Sequence, residues 1–171
     1  EGLRGMNADA WEGGHRMPFI VRWPGHVKAH SISDQTICFT DIMATLAAVT
    51  GTSLPKDAGP DSFNFLPVLK GKQPANKAIR GPIVIPAQGG TMSIRSGDWK
   101  LITHLGSGGF GGDWTPIASR IQPKPGGPTG QLYNLKKDVA ETKNLFLAKP
   151  KIVKRLQAKL AQIKKQKRTR P

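Results

Sequence analysis

The hydrophobic positions of the chain change their period along its length, and each period predicts a different element. Between residues 82 and 103, apolar residues alternate with polar ones in short runs separated by turns that contain Gly, and 131–135 is a further run of this kind. A two-residue period is typical of antiparallel strands with one buried face. The pattern predicts four short strands, at 82–86, 91–95, 98–103 and 131–135, with a long glycine-rich loop at 106–130 before the last.

Two segments show helical periodicity instead. From Thr40 to Gly51, a capping residue, an acidic residue and a terminal Gly frame an apolar face. A second helix is predicted from about Pro150 to Lys167. The first face comprises Ile42, Met43, Leu46 and Val49, and the second comprises Ile152, Val153, Leu156, Leu160 and Ile163. Both faces are predicted to be buried, whereas the lysines of the second helix lie on its solvated side.

A double glycine precedes the first apolar run of the chain. Gly13 and Gly14 permit backbone angles that other residues avoid, and Pro18 to Trp23 is predicted to be a strand that Pro24 and Gly25 end. Glu12 and Arg16 would then lie at the entrance of a strand, which is a common way to position a site. The alternative is that they form a buried ion pair that only stabilises the turn.

Composition and charge limit the classes of protein. The 171 residues carry a net charge of +15, and residues 136–171 hold 13 of the 26 Lys and Arg residues against two acids. A single cysteine excludes an internal disulfide, and no apolar run reaches the ~18 residues of a membrane span. The basic C-terminal segment allows one alternative function, a nucleic-acid- or polyanion-binding module without catalysis.

Several motifs carry a more specific resemblance. Leu3-Arg4-Gly5 is followed by Trp11-Glu12-Gly13-Gly14-x-Arg16-x-Pro18 and by Trp23-Pro24-Gly25. Further along are Ile94-Arg95-x-Gly97-x-Trp99-Lys100-Leu101 and Leu132-Tyr133-Asn134-Leu135, with Asp138, Glu141 and Asn144 at regular intervals behind it. This long, spaced pattern resembles the C-terminal portion of the sulfatase family, in its arylsulfatase A-like branch.

The resemblance implies the fold and its division. Residues 1–78 would be the incomplete C-terminal end of a large α/β catalytic domain of the alkaline-phosphatase-like superfamily. Residues 79–171 would be a small α+β subdomain, in which a four-stranded antiparallel sheet is backed by a C-terminal helix. Isolated from the missing N-terminal part, the chain is expected to expose apolar surface and to fold poorly.

The resemblance also implies the chemistry and where this chain departs from it. Sulfatases are understood to use a formylglycine nucleophile, a calcium ion and a Lys that contacts the sulfate. The nucleophile and the calcium ligands would lie upstream of Glu1, so the chain alone would be inactive and would hold no metal ligand. The family Lys corresponds to Asn7, which brings no charge. Either the parent enzyme is active with altered sulfate contacts, or it has drifted towards weak or no hydrolysis.

Other residues are candidates for substrate binding. His15 follows the double glycine, where an imidazole could face a substrate, although a lone His is more often structural. Phe110 and Trp114 belong to a glycine-rich loop that resembles a rim near the active-site mouth, and they could stack on a sugar; the alternative is a flexible surface loop. Cys38 lacks the surrounding formylglycine motif and is predicted to be a packing thiol.

The expected partners follow from the same resemblance. They are a sulfated small molecule or polysaccharide and the missing N-terminal part of the same protein, with no nucleic acid and no membrane span. The family resemblance implies a periplasmic or secreted protein.

Overall fold

The computed structural model describes residues 2–110 and 121–170. The chain divides into two compact units. The first comprises the described residues of Glu1–Met17 and Pro82–Gln162, and the second comprises Pro18–Gly81 and the described residues of Ile163–Pro171. The first unit therefore contains both the double glycine and the predicted sheet.

The four predicted strands are confirmed in the first unit. They are β1 (Ile83–Pro86), β2 (Met92–Ser96), β3 (Trp99–Ile102) and β4 (Gln131–Asn134), and they form one antiparallel sheet in the order β1-β2-β3-β4. Leu101 pairs with Ile94 on one side and with Leu132 on the other, so the register brings three apolar residues into one row. Short turns account for the β1–β2 and β2–β3 pairings, whereas β4 reaches β3 after the long loop that follows it.

The prediction that only one face of the sheet is buried is wrong. Ser93, Ile94, Lys100, Leu101 and Ile102 are all buried, so the middle of β2 and β3 is covered on both faces. The covering chain includes the N-terminal segment, because Ala10 joins Ala87, Ile102, Tyr133 and Leu135 in one core cluster against which Trp11 packs. Sequence periodicity reports strands well, but it does not reveal which remote segment covers the second face.

The C-terminal helix is confirmed as α3 (Pro150–Gln166), and the first thirteen of its residues belong to the first unit. Its predicted stripe is buried at Val153, Leu156, Leu160 and Ile163. The turn before it is also as predicted, since the Asp138 carboxylate accepts hydrogen bonds from the backbone of Thr142 and Lys143. The basic side chains of α3 are exposed.

In the second unit, the helix predicted at 40–51 forms as α1 (Asp41–Val49), but it buries a different face. Asp41, Ala44 and Thr45 are buried, whereas Met43, Leu46 and Val49 are exposed. Thr40 makes no side-chain cap; instead the Asp41 carboxylate accepts the backbone N–H of Cys38 at 2.7 Å. Both Arg80 Nη1 and the N–H of Phe63 also bind this buried carboxylate, so a polar anchor, rather than the apolar face, attaches the helix.

The strand predicted at Pro18–Trp23 is not formed. Residues 18–23 adopt neither helix nor strand, and Ile20 is 90% exposed. A strand requires a neighbouring chain for its backbone hydrogen bonds, and among the described residues none pairs with this segment.

A short helix that was not predicted, α2 (Leu66–Leu69), follows Phe65. Cys38 is half-buried and forms no disulfide, and no helix of the described residues is long and apolar enough to cross a membrane.

Candidate functional site

The double glycine forms a single turn of 3₁₀ helix, Glu12–Gly14, that lies against the segment before it. An added Cβ at Gly14 would lie 2.1 Å from the carbonyl oxygen of Asp9, and one at Gly13 would lie 2.5 Å from that of Gly5. Neither glycine has a positive φ. The expectation that glycine supplies unusual backbone angles here is therefore wrong: glycine is required because the two backbones touch.

The segment that contacts this turn carries Asn7 at its tip. The Asp9 carboxylate accepts the backbone N–H of Met6 at 3.0 Å, and the N–H of Asp9 returns a bond to the carbonyl of Met6 at 3.0 Å. Ala8 adopts φ +81°, a left-handed angle that costs a residue with a Cβ about 1–2 kcal/mol. Asn7 is exposed, and no hydrogen bond or ion pair among the described residues involves its side chain. A tight, strained loop thus presents Asn7 to solvent.

The glycine-rich loop after β3 packs onto the same segment. The N–H of Ala10 donates to the carbonyl of Ser107 at 2.6 Å, and a Cβ at Gly109 would lie 2.4 Å from the carbonyl oxygen of Ala8. Gly106 to Gly109 are buried, so the alternative of a flexible surface loop is wrong for these residues. Phe110 follows them and is half-buried, whereas Trp114 lies outside the described residues. The structure therefore brings the described part of the loop to the Asn7 segment, and its role as a rim of the active site stays a prediction.

Behind these loops lies a buried cluster of charged side chains. Lys100 is 0% exposed, and its Nζ lies 2.9 Å from Glu12 Oε1, 3.0 Å from Glu141 Oε1 and 3.0 Å from His15 Nε2. Glu141 Oε2 in turn accepts the backbone N–H of Glu12 at 2.6 Å. The cluster joins the Gly-Gly turn, strand β3 and the turn before α3. We name these four residues, Glu12, His15, Lys100 and Glu141, the Lys100 cluster.

The electrostatics of the cluster keep Lys100 and Glu12 paired. Burial raises the pKa of Glu12, but the charge and hydrogen bond of Lys100 outweigh it and hold that pKa below its ordinary 4.5. Burial raises the pKa of Glu141 above 4.5 even though Lys100 opposes the shift. Lys100 therefore favours the charged form of Glu12 more strongly than that of Glu141.

His15 is neutral in this environment. Burial, and then the charge of Lys100, lower its pKa to about 4. A neutral imidazole can accept a hydrogen bond on Nε2, which is the atom that faces the Lys100 ammonium. His15 therefore completes the coordination of Lys100, and its predicted contact with substrate stays a prediction.

Arginine side chains surround the cluster. Arg16 and Arg95 lie 3.7 Å and 3.6 Å from Glu12 Oε2, so the predicted Glu12–Arg16 pair exists but is secondary to Lys100. Arg4 stacks on the Trp11 ring at 3.8 Å and donates to the Glu141 carbonyl at 2.9 Å. These contacts fix both ends of the Asn7 segment.

Sequence reasoning found the Gly-Gly turn and missed two members of the cluster. Lys100 and Glu141 lie in motifs that point to the family, but no local pattern gave them a role. The one signal was a charged residue between Trp99 and Leu101 in a strand. It becomes informative only when both faces of the strand are known to be covered, because a buried Lys then requires a hydrogen-bonding or acidic partner. That partner lies 88 residues away in sequence, at Glu12.

The described residues do not fit a metal site, because they contain no group of three or more His, Cys, Asp or Glu side chains that could hold an ion. Lys100 stands between the two carboxylates that come closest to such a group. What the arrangement can do is positional: a neutralised, buried cluster holds the strained loop that presents Asn7.

The chain is similar to known sulfatases. It is 35% identical over 163 residues to an N-acetylgalactosamine-6-O-sulfatase of Bacteroides thetaiotaomicron, a match that covers 94% of this chain and 30% of that protein. It is 31% identical over 134 residues to arylsulfatase G of the dog, covering 77% and 24%. The chain belongs to the sulfatase family. No family model matches it.

A solved structure agrees with this membership. A Bacteroides thetaiotaomicron sulfatase from a locus for the metabolism of glycosaminoglycans aligns with a TM-score of 0.75 and 33% identity over 92% of this sulfatase chain and 31% of that one. The present chain thus spans about a third or less of the length of the relatives it matches. The expected fold, a partial sulfatase with a four-stranded antiparallel sheet and a C-terminal helix, is confirmed.

Proposed function

We propose that these 171 residues are the C-terminal part of a sulfatase that hydrolyses sulfate esters of carbohydrates or aryl compounds. The observation that carries the proposal is the loop of residues 4–9, which the Gly-Gly turn and the Lys100 cluster hold in one conformation with Asn7 exposed. A relative named as a sulfatase is 35% identical to this chain over 163 residues. In this proposal residues 1–78 end the catalytic domain and residues 79–171 form the accessory subdomain.

The rest of the reaction would come from the part of the protein outside these residues. That part would supply the formylglycine nucleophile and the calcium ion with its ligands. The protein would act in the periplasm or outside the cell. The name of the first relative favours 6-O-sulfated N-acetylgalactosamine among the possible substrates.

The contribution of this chain to catalysis would be made at Asn7. An ammonium at this position would stabilise negative charge on the sulfate and the leaving oxygen, whereas an amide donates only a neutral hydrogen bond, which is about half as strong. Phe110, at the end of the buried glycine loop, and Trp114 beyond it would form the apolar rim for the sugar ring. The Lys100 cluster would act through the position of the loop rather than on substrate.

The experiment is a turnover assay on the full-length protein with an aryl sulfate and with 6-O-sulfated N-acetylgalactosamine, scored by released inorganic sulfate. We expect measurable hydrolysis by the native protein and a gain of about tenfold or more in kcat/KM for Asn7→Lys, because a charged donor replaces a neutral one. Asn7→Gln, which lengthens the side chain without charge, is the matched control and should show no such gain.

The two variants also separate the two possible states of the parent enzyme. Hydrolysis by the native protein that Asn7→Lys does not improve would indicate altered but effective sulfate contacts. Hydrolysis only by Asn7→Lys would indicate a parent that has lost activity. Absence of hydrolysis in all three proteins, with the fold intact by circular dichroism, would contradict the proposed function.

A further inference from the structure

A groove in the first unit lies between the β2–β3 turn and helix α3. It has a volume of about 710 Å³. One wall comprises Ser96 and Trp99 beside the turn residue Asp98, and the other comprises Arg155, Lys159 and Gln162 of α3. Trp99 and Lys100 are successive residues of β3, so they face opposite sides of the sheet. The groove is therefore on the side away from the Lys100 cluster.

The chemistry of the walls is that of a site for a sulfated sugar. The half-buried indole of Trp99 offers an apolar surface for the face of a pyranose ring. Opposite it, Arg155 and Lys159 are both exposed and stand one helical turn apart, about 6 Å along the axis. A guanidinium and an ammonium at this spacing can bind the oxygens of one sulfate group or of two neighbouring ones.

The charge of α3 is not balanced within the helix. Pro150–Gln166 contains no Asp or Glu, and among the described residues its cations make one side-chain hydrogen bond, from Lys159 Nζ to Gln162 Oε1 at 3.3 Å. Lys151 continues the row of cations one turn before Arg155. Asp98, at the tip of the turn, is the one carboxylate that lines the groove, and it could accept a sugar hydroxyl.

We propose that this groove binds a sulfated segment of a polysaccharide chain, as a site additional to the one in which hydrolysis would occur. The choice of polymer rests on the proposed function. An aromatic residue beside paired cations suits a sugar ring with its sulfate, whereas duplex DNA is bound mainly through its phosphates and would leave the indole of Trp99 unused. The cations retain a long anionic chain, and Trp99 confers the preference for sugar over other polyanions.

The test measures binding of a chondroitin 6-sulfate octasaccharide, its desulfated counterpart and a 12-base-pair DNA duplex to the full-length protein by calorimetry. We expect the sulfated octasaccharide to bind, and the double variant Arg155→Gln/Lys159→Gln to weaken binding at least tenfold and to reduce its dependence on salt. These positions are exposed on a helix, so the fold should tolerate both changes. Lys70→Gln/Lys72→Gln removes the same charge from exposed positions of the second unit and should bind as the native protein does.

Trp99→Phe separates stacking from charge. The substitution retains an aromatic ring in the strand. It should weaken binding of the sulfated octasaccharide several-fold while leaving the salt dependence of binding unchanged. The inference is overturned if the Arg155/Lys159 variant binds as the native protein does, if the Lys70/Lys72 variant loses as much, or if the DNA duplex binds as tightly as the octasaccharide. Hydrolysis of a small aryl sulfate by the native protein and by Asn7→Lys is measured in parallel. Activity without octasaccharide binding would refute only the groove, and binding without activity in either protein would refute only the proposed function.

Discussion

Lys100 is a charged side chain with no exposed surface, and its surroundings explain how the fold tolerates it. Transferring an ammonium from water into the protein interior costs roughly several kcal/mol unless hydrogen-bond acceptors surround its N–H groups. Glu12 Oε1, Glu141 Oε1 and His15 Nε2 all lie within 3.0 Å of its Nζ. Such a cluster adds little net stability compared with apolar residues, but it admits one arrangement of three chain segments. Its value here is the fixed position of the turn behind the Asn7 loop.

His15 makes the stability of the first unit depend on pH. The imidazole has an ordinary pKa of 6.5 and a pKa of about 4 in the folded protein, so the unfolded chain binds more protons between these values. Its contribution to stability is complete above about pH 6.5 and is lost as the pH falls towards 4. Two and a half pKa units at 18% exposure correspond to about 3 kcal/mol. We expect His15→Gln to flatten the fall in the free energy of unfolding between pH 6.5 and 4, measured by urea titration.

The comparison needs a second histidine variant. His30→Gln removes an exposed imidazole from the second unit and serves as the matched control. If the native protein and His15→Gln lose stability in parallel across this range, the buried neutral imidazole is not the cause of the pH dependence.

At the scale of single residues, the sequence indicates the place of the site better than its partners. The Glu12-Gly13-Gly14 motif marked the turn, and the match to the family marked Asn7. Lys100 and Glu141 could not be assigned, because their contacts with Glu12 join positions 88 and 129 residues apart. Charge pairing at such separations depends on the whole fold, so a local pattern contains no record of it.

Close contact between backbones determines the glycine pattern around the Asn7 loop. Gly14 touches Asp9, and Gly109 touches Ala8, on two different sides of the same segment. The Gly-Gly turn and the glycine-rich loop thus meet the Asn7 segment at positions where neither has room for a Cβ. These glycines have one shared effect. Each allows its backbone to approach the Asn7 loop closely enough for backbone hydrogen bonds to form.

We expect Gly14→Ala to destabilise the protein by about 3 kcal/mol or more, because its Cβ would meet backbone atoms that cannot move aside as a side chain could. The midpoint and slope of urea unfolding provide the measurement, and the sulfatase assay reports on the Asn7 loop. Gly81→Ala is the matched control, since its Cβ would have nothing within 4 Å. Equal stability of the two alanine variants would show that the turn relaxes without cost.

The correctly predicted elements are those whose strand pairing or apolar stripe can be recognised within a short stretch of sequence. Strands β1 to β4 pair with their sequence neighbours, and α3 buries its own apolar stripe, so period and turn residues were sufficient. The segment 18–23 and the apolar face of α1 failed for one shared reason. Each has the pattern of a buried element, but the described residues cover it only in part, and Ile20, Leu46 and Val49 stay exposed.

At the scale of the whole molecule, the second unit exposes an unusual number of large apolar side chains. Ile20 is 90% exposed, Ile32 94% and Leu46 57%, and Phe39, Met43 and Val49 are exposed as well. Monomeric proteins expose such residues singly, whereas groups of them mark surfaces that another structure covers. If the proposed function holds, the covering structure is the remainder of the sulfatase catalytic domain.

This surface predicts how the 171-residue polypeptide behaves when it is produced alone. We expect it to self-associate at micromolar concentration and to bind a hydrophobic dye, and we expect Leu46→Lys/Val49→Lys to reduce both, because the two positions lie one turn apart on the exposed face of α1. Gln157→Lys/Gln166→Lys adds the same charge at exposed polar positions of α3 and is the matched control. In the full-length protein the Leu46/Val49 variant should instead lose stability, since the lysines would then be buried. A monomeric native polypeptide by analytical ultracentrifugation, or a full-length protein that accepts both lysines without loss, would show that nothing covers this face.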